Sequence, residues 1–213
     1  MMSHHQFNNA DLFGMEKRFR TNLINSIGGF NSANLVGTIS PEKVPNLAIF
    51  SSVVHIGANP PLVGMISRPD TVPRHTLQNI RYLKYYTINA ITEGVFPQAH
   101  QTAARYDDAT SEFDAVGLKK EFLSDFPAPF VSESPIQIGL ELRDIIEIPI
   151  NGTYVVIGEI QKLQIPQAAV LEDGKVDLEF LKIACISGLD TYHSTACLAR
   201  LDYAKPGKTL KLL

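Results

Sequence analysis

Apolar and polar positions along this chain fall into short runs separated by turn-forming residues at spacings of about ten. Ser32 to Ser40 (SANLVGTIS), Asn46 to His55 (NLAIFSSVVH) and Pro61 to Arg68 (PLVGMISR) read as three strands. The turn PEKVP, from Pro41 to Pro45, separates the first two, and IGANPP, from Ile56 to Pro61, closes the second. Strand followed by turn at this spacing predicts an antiparallel sheet or barrel rather than alternating βαβ units. Ser51 and Ser52 fall inside the second run, where alternation would send their hydroxyls to opposite faces.

A helix is expected next. Leu77, Ile80 and Leu83 recur at helical spacing after Pro73. Thr71, His75 and Thr76 each stand where a cap or first-turn residue would, and the pattern does not choose among them. Lys84 to Ile91 (KYYTINAI) is rich in aromatic and β-branched residues, as strands are. Pro97 to Tyr106 predicts a short helix and Thr110 to Gly117 a second one. Pro127, Pro129 and Pro135 then punctuate a long connection of the kind that often carries function. Two long strands come after it, Ile136 to Ile148 and Tyr154 to Ile165. Asn151-Gly152 between them is a strong hairpin-turn signal, because both residues tolerate positive φ. Val176 to Leu181 reads as one helical turn or two, and the stretch from Leu198 to Leu213 as partly extended. The fold class is mainly β with a few helices, in one domain.

Composition narrows the classes without selecting a function. The 213 residues are 45% hydrophobic and 19% charged, a globular balance. Nineteen basic against 22 acidic side chains give a net charge of −3, which argues against a nucleic-acid partner. Arg18, Arg20, Arg81 and Lys84 fit a solvated face instead. Residues 1–12 lack the apolar core of a signal peptide, and no run approaches the ~18 apolar residues of a membrane span. The expected setting is therefore the cytoplasm, with no membrane partner and with Cys185 and Cys197 as free thiols. There is no Gly-rich phosphate loop and no G-x-S-x-G elbow. The histidines (His4, His5, His55, His75, His100 and His193) form no H-x-x-x-H pair, so no metal site is expected.

Polar residues do converge between 46 and 79. Ser67 and Arg68 end the third strand, while Arg74, His75 and Thr76 stand at the helix start. A helix N-terminus offers free backbone N–H groups and the positive end of a dipole, and arginine adds a permanent charge. These are the parts of a phosphomonoester pocket. Ordinary capping beside a solvated arginine accounts for the same residues.

The order of short motifs resembles the flavin reductase-like family of FMN-binding split-barrel proteins, which includes flavoredoxin-type members. Asn46 to Ser51 (NLAIFS) is similar to its N-L-A-x-F-S segment. Asn59 to Pro61 (NPP), leading into the apolar strand that ends at Ser67 and Arg68, resembles the family's usual continuation. Arg74 to Ile80 (RHTLQNI) resembles the D-T-x-x-N-I helix start, with His75 in place of the acid. Thr87 to Glu93 (TINAITE), Gln98 to Ala104 (QAHQTAA) and Ser111 to Leu118 (SEFDAVGL) also resemble family segments. So do Glu133 to Leu142 (ESPIQIGLEL), Val156 to Ile160 (VIGEI) and Ser187 to Tyr192 (SGLDTY).

The resemblance implies a six-stranded Greek-key split barrel over residues 14–205, after a flexible N-terminal arm (1–13) and before a C-terminal tail (206–213). It implies a homodimer with one FMN per subunit near the interface. Asn46, Leu47 and Ala48 would line the isoalloxazine, and Ser51 and Ser52 would serve the ribityl chain or ring edge. Ser67, Arg68, Arg74 and Thr76 would hold the phosphate. Asn89, His100 and Tyr192 are further pocket candidates that would reach the partner subunit's flavin. No side chain needs to be a catalytic nucleophile or base, since the flavin carries the chemistry.

Two departures stand out. Ile150 to Tyr154 (INGTY) lacks the histidine of the family's G-D-H segment, which is linked there to nicotinamide use. Ser187 replaces the first residue of a glycine pair and would be strained at positive φ. The implied function is an FMN-dependent oxidoreductase that draws on a reduced nucleotide, NADH or NADPH, or on a protein donor. The alternatives are a non-enzymatic electron carrier and a cofactor-free split-barrel interaction domain.

Overall fold

In the computed structural model, which describes residues 3–213, the apolar runs become strands of one antiparallel sheet. Two short helices come first, α1 (Asn9–Gly14) and α2 (Lys17–Ser26). A capping box between Asn8 and Asp11 starts α1, where the sequence suggested a flexible arm. Then come β1 (Asn31–Ser32), β2 (Asn34–Ile39), β3 (Pro45–Phe50), β4 (Val53–Ala58) and β5 (Pro61–Ser67). Helix α3 (His75–Leu83) leads into β6 (Tyr85–Ala90), which is succeeded by the short helices α4 (Phe96–Gln101) and α5 (Glu112–Val116). The proline-rich connection holds the small pair β7 (Lys120–Glu121) and β8 (Phe130–Val131). Long strands β9 (Gln137–Ile148) and β10 (Thr153–Gln164) come next, and the hairpin β11 (Cys185–Ser187) and β12 (Thr191–His193) pairs with β1.

The main sheet has seven strands in the order β3-β2-β6-β9-β10-β5-β4, one more than the six implied by resemblance. Its two end strands, β3 and β4, are consecutive in the chain and separated only by Ser51 and Ser52. Such a link spans at most about 11 Å. The two edges must therefore meet at that point, which curls the sheet into a barrel split along the β3/β4 seam. The single strand expected from Asn46 to His55 breaks here because its halves pair with opposite ends of the sheet. β3 pairs with β2, and β4 with β5.

Alternation along β2 divides the core in two. Val36 faces the barrel interior with Met65, Leu77, Ile80, Tyr86, Ile88, Leu140 and Val156. Leu35 faces outward into a second cluster with Leu47, Ile91, Phe113, Val131 and Ile186. Each such fully buried side chain contributes roughly 1.5–3 kcal/mol relative to exposure. α3 lies against β2 and β3 and closes the interior with Leu77 and Ile80.

Local turn chemistry differs from expectation at three places. The β9–β10 connection spans four residues rather than two. Only Gly152 takes a positive φ (71°) there, while the Asn151 carboxamide accepts from Thr153 N–H and hydroxyl. Ser187 sits in β11 without positive φ, and Gly188 alone takes that conformation (63°), so the expected strain is absent. Val176 to Leu181 contains one turn, closed by Leu181 N–H donating to the Asp177 carbonyl. Both cysteines are free thiols. No helix among the described residues is long and apolar enough to cross a membrane.

Candidate functional site

The end of β5, the loop after it and the start of α3 lie in one stretch of chain, and their chemistry suits an anion. Arg74 is the N-cap of α3, yet the helix has no side-chain cap hydrogen bond and no acid in its first turn. Its leading N–H groups are therefore free of the usual internal partners. Arg74 donates through Nε to the Pro69 carbonyl (3.1 Å), which folds the loop back on itself. Among the described residues neither Arg68 nor Arg74 makes an ion pair. Ser67 is buried at the end of β5, and Arg68 is exposed beside it.

The acid in this loop is neutralised elsewhere. Asp70 accepts from Arg81 (3.1 Å) and from the Tyr154 hydroxyl (3.1 Å), while the Arg81 guanidinium lies 4.9 Å from the Tyr154 ring centre. The hydrogen bond from Arg81, then that from Tyr154, holds the Asp70 carboxyl below the usual carboxylate range. Arg81 is exposed, as a solvated face requires, and also ties the loop to α3 through Asp70.

β3 joins this region through Asn46, whose Nδ2 donates to Thr76 Oγ1 (3.2 Å). One turn on, Asn79 Nδ2 donates to Thr38 Oγ1 (3.1 Å) on β2. All four side chains are buried, so two polar ties fix α3 on the barrel. A cavity of about 260 Å³ opens beside them, lined by Ser40, Glu42, Asn46, His75, Asn79 and Asp108 among others. That lies at the lower edge of ordinary ligand pockets, and Ser67, Arg68 and Arg74 are outside its lining. His75, the first residue of α3, pairs through Nε2 with Asp108 (2.9 Å).

The remaining candidates fall into different surroundings. Ala48 is half-buried on β3, while Leu47 is fully buried and points into the outer core. Ser51 and Ser52 occupy the bend between β3 and β4 rather than a strand, because the chain changes sheet partners there. Asn89 is fully buried near the end of β6, and its carboxamide is consumed by the Leu35 carbonyl, Thr87 Oγ1 and Val131 N–H. It ties β6 to β2 and β8. His100 and Tyr192 form a separate cluster, with Nδ1 and hydroxyl 3.1 Å apart and Phe96 against the Tyr192 ring. Burial, then the Asp190 charge, pushes the Tyr192 phenol up to about 12.

Glu112, at the start of α5, is a further functional candidate that pattern alone does not single out. It is 7% exposed and accepts the Leu47 N–H at 2.9 Å. Burial pushes its carboxyl upward, against hydrogen bonds from Leu47 N–H and its own N–H and the positive influence of His75. It lies inside SEFDAVGL, and only the tertiary fold brings residue 112 against residue 47.

This fold is that of a known family. The model of the flavin reductase like domain matches residues 28–177, and the chain belongs to that family. A structure from Shewanella frigidimarina NCIMB 400, provisionally named a flavin reductase with a split barrel domain, is 48% identical with a TM-score of 0.91. The match covers 94% of this chain and 100% of that one. Nitrilotriacetate monooxygenase component B from Bacillus cereus shares the fold at 18% identity and a TM-score of 0.83, over 94% of this chain and 100% of its own. Flavoredoxin of Desulfovibrio vulgaris (Miyazaki F) does so at 21% and 0.69, over 84% and 92%.

Proposed function

We propose that the protein is an FMN-binding oxidoreductase that passes reducing equivalents from a reduced nucleotide or a protein donor to an acceptor. The observation that carries this reading is the uncapped, acid-free start of α3 beside two arginines without ion-pair partners among the described residues. A phosphomonoester dianion satisfies both needs at once, through backbone N–H groups and through charge-assisted bonds. Family membership favours a flavin as the group that brings such a phosphate.

In this reading Ser67, Arg68, Arg74 and Thr76 hold the phosphate, and Asn46, Leu47 and Ala48 of β3 line the ring. Ser51 and Ser52 supply hydroxyls at the barrel seam. Bound FMN supplies the redox chemistry, and the protein supplies binding, orientation and electrostatics. His100 and Tyr192 serve a second copy of the site across a homodimer, and Asn89 has only a structural role. The dimer is supported by β4, a sheet edge whose Val54 and Ile56 are exposed and which carries no acidic or basic residue other than His55. Such an edge in an isolated monomer invites pairing. The two free thiols suit a reducing cytoplasm.

An absorption spectrum with added FMN, and then with anaerobic NADH and NADPH, tests the proposal. Bound flavin that bleaches with a nucleotide supports a nicotinamide-dependent reductase. Bound flavin that stays oxidised supports a second reading, an electron carrier served by a protein donor. That second reading is favoured by the β9–β10 turn, which carries no histidine and whose Asn151 carboxamide is spent on Thr153. Absence of flavin binding refutes both.

A further inference from the structure

We propose that Glu112 is a positioning residue of the flavin site, which holds the outer edge of β3 in place and decides which backbone donor that edge presents. The inference rests on the reading that β3 supports the flavin ring.

β3 is an end strand of the sheet, so half of its backbone groups point away from β2. In an antiparallel ladder inward and outward groups alternate. Leu47 N–H points outward and donates to Glu112 Oε2 at 2.9 Å. Gly37 and Leu47 are therefore a non-hydrogen-bonded pair, and so is the next such pair, Leu35 with Ile49. The Ile49 N–H leaves β3 on the same side. Pro45, the first residue of the strand, has no N–H. The edge has two outward donors within β3, at Leu47 and Ile49, and Glu112 closes the first.

A buried carboxylate is a costly way to close an edge. Plain packing already holds α5 there, since Phe113 shares a core cluster with Leu47 and Ile49. The carboxylate adds a fixed acceptor at one backbone position, where a slip of the strand by one residue would turn Leu47 into the barrel. Its neighbours keep it in place: its own N–H, the Leu47 N–H and the positive side of His75, itself paired with Asp108. Glu112 thereby fixes the height of β3 against α5 and leaves Ile49 N–H as the outward donor of β3 without a partner among the described residues.

The test uses the full-length protein and three variants, Glu112→Ala, Glu112→Gln and Glu112→Asp. Amide exchange at Leu47, read by NMR without flavin, reports the latch, and fluorescence titration with FMN reports the site. Glutamine keeps an acceptor of the same reach, whereas alanine removes it and aspartate withdraws it. Glu112→Ala is expected to speed Leu47 exchange and weaken FMN binding by about tenfold each, the scale of one lost hydrogen bond. Glu112→Gln should stay within about threefold of the parent in both. Where the alanine variant does not fold, the aspartate variant carries the same expectation. Unchanged exchange overturns the latch. Faster exchange with unchanged FMN affinity also overturns the inference, because Glu112 would then cap an edge and nothing more. If the parent protein takes up no FMN, the functional reading itself fails, and the exchange data still report whether Glu112 holds Leu47.

Discussion

Arg74 combines a helix N-cap position with a guanidinium whose only hydrogen-bond partner among the described residues is the Pro69 carbonyl. Arg74→Ala should weaken FMN binding by about 10- to 100-fold, the range for losing a charge-assisted hydrogen bond of ~1.5–3 kcal/mol. Equilibrium titration measures this, and an unchanged affinity would remove Arg74 from the site. Glu112 gives a pH signature. Burial raises its folded-state value above that of the unfolded chain, so between the two values the folded protein binds more protons. Stability then falls as pH rises through that window, which begins at the ordinary glutamate value, and is level beyond it. Urea midpoints against pH should show a shallower slope for Glu112→Gln; parallel profiles would contradict the assignment. Tyr86 is buried with its hydroxyl unpartnered, and a Cβ on Gly158 would come within 2.9 Å of its ring. Gly158→Ala should cost about 1–3 kcal/mol by overpacking, while Tyr86→Phe should be neutral or stabilising, because it removes an unpaired polar group. Thermal unfolding separates the two. Arg74 was legible in the sequence because proline and helical spacing marked the start of α3. Glu112 was not, since a glutamate at a helix start is ordinarily a solvated one.

At the scale of elements, α3 is held by two buried side-chain pairs, Asn46 with Thr76 and Asn79 with Thr38, that add direction to its apolar face. Asn79→Ala should cost about 1–3 kcal/mol, because it leaves the buried Thr38 hydroxyl without its partner. A melting temperature equal to the parent's would show that apolar contacts alone seat the helix. The helix itself was readable from Leu77, Ile80 and Leu83, and the long strands β9 and β10 from their apolar runs. The break between β3 and β4 was not readable. NLAIFSSVVH has strand propensity throughout, and what interrupts it is a change of pairing partner at Ser51 and Ser52. The same holds for Asn151-Gly152, where pattern indicates a turn but the four-residue geometry depends on where β9 and β10 stop pairing.

For the molecule as a whole, β4 is a sheet edge that carries the exposed apolar residues Val54 and Ile56. In the proposed homodimer, Val54→Lys should give monomers, since a charge on an edge strand opposes pairing. Sedimentation of both proteins checks this, and a dimer that persists would place the interface elsewhere. Short runs, prolines and turn residues were enough for the sequence alone to determine a β-rich chain with a few helices. The same local signals marked the strand end at Ser67 and the helix start at His75 that frame the proposed phosphate residues, because turn chemistry, apolar period and capping act over a few residues. The burial of Asn89 and the grip of Glu112 on Leu47 join residues 42 to 65 positions apart, and closure of the sheet needs β10 to pair with β5 from far along the chain. Those depend on which strands pair and which faces meet, and that is settled only when the whole chain buries its apolar surface together.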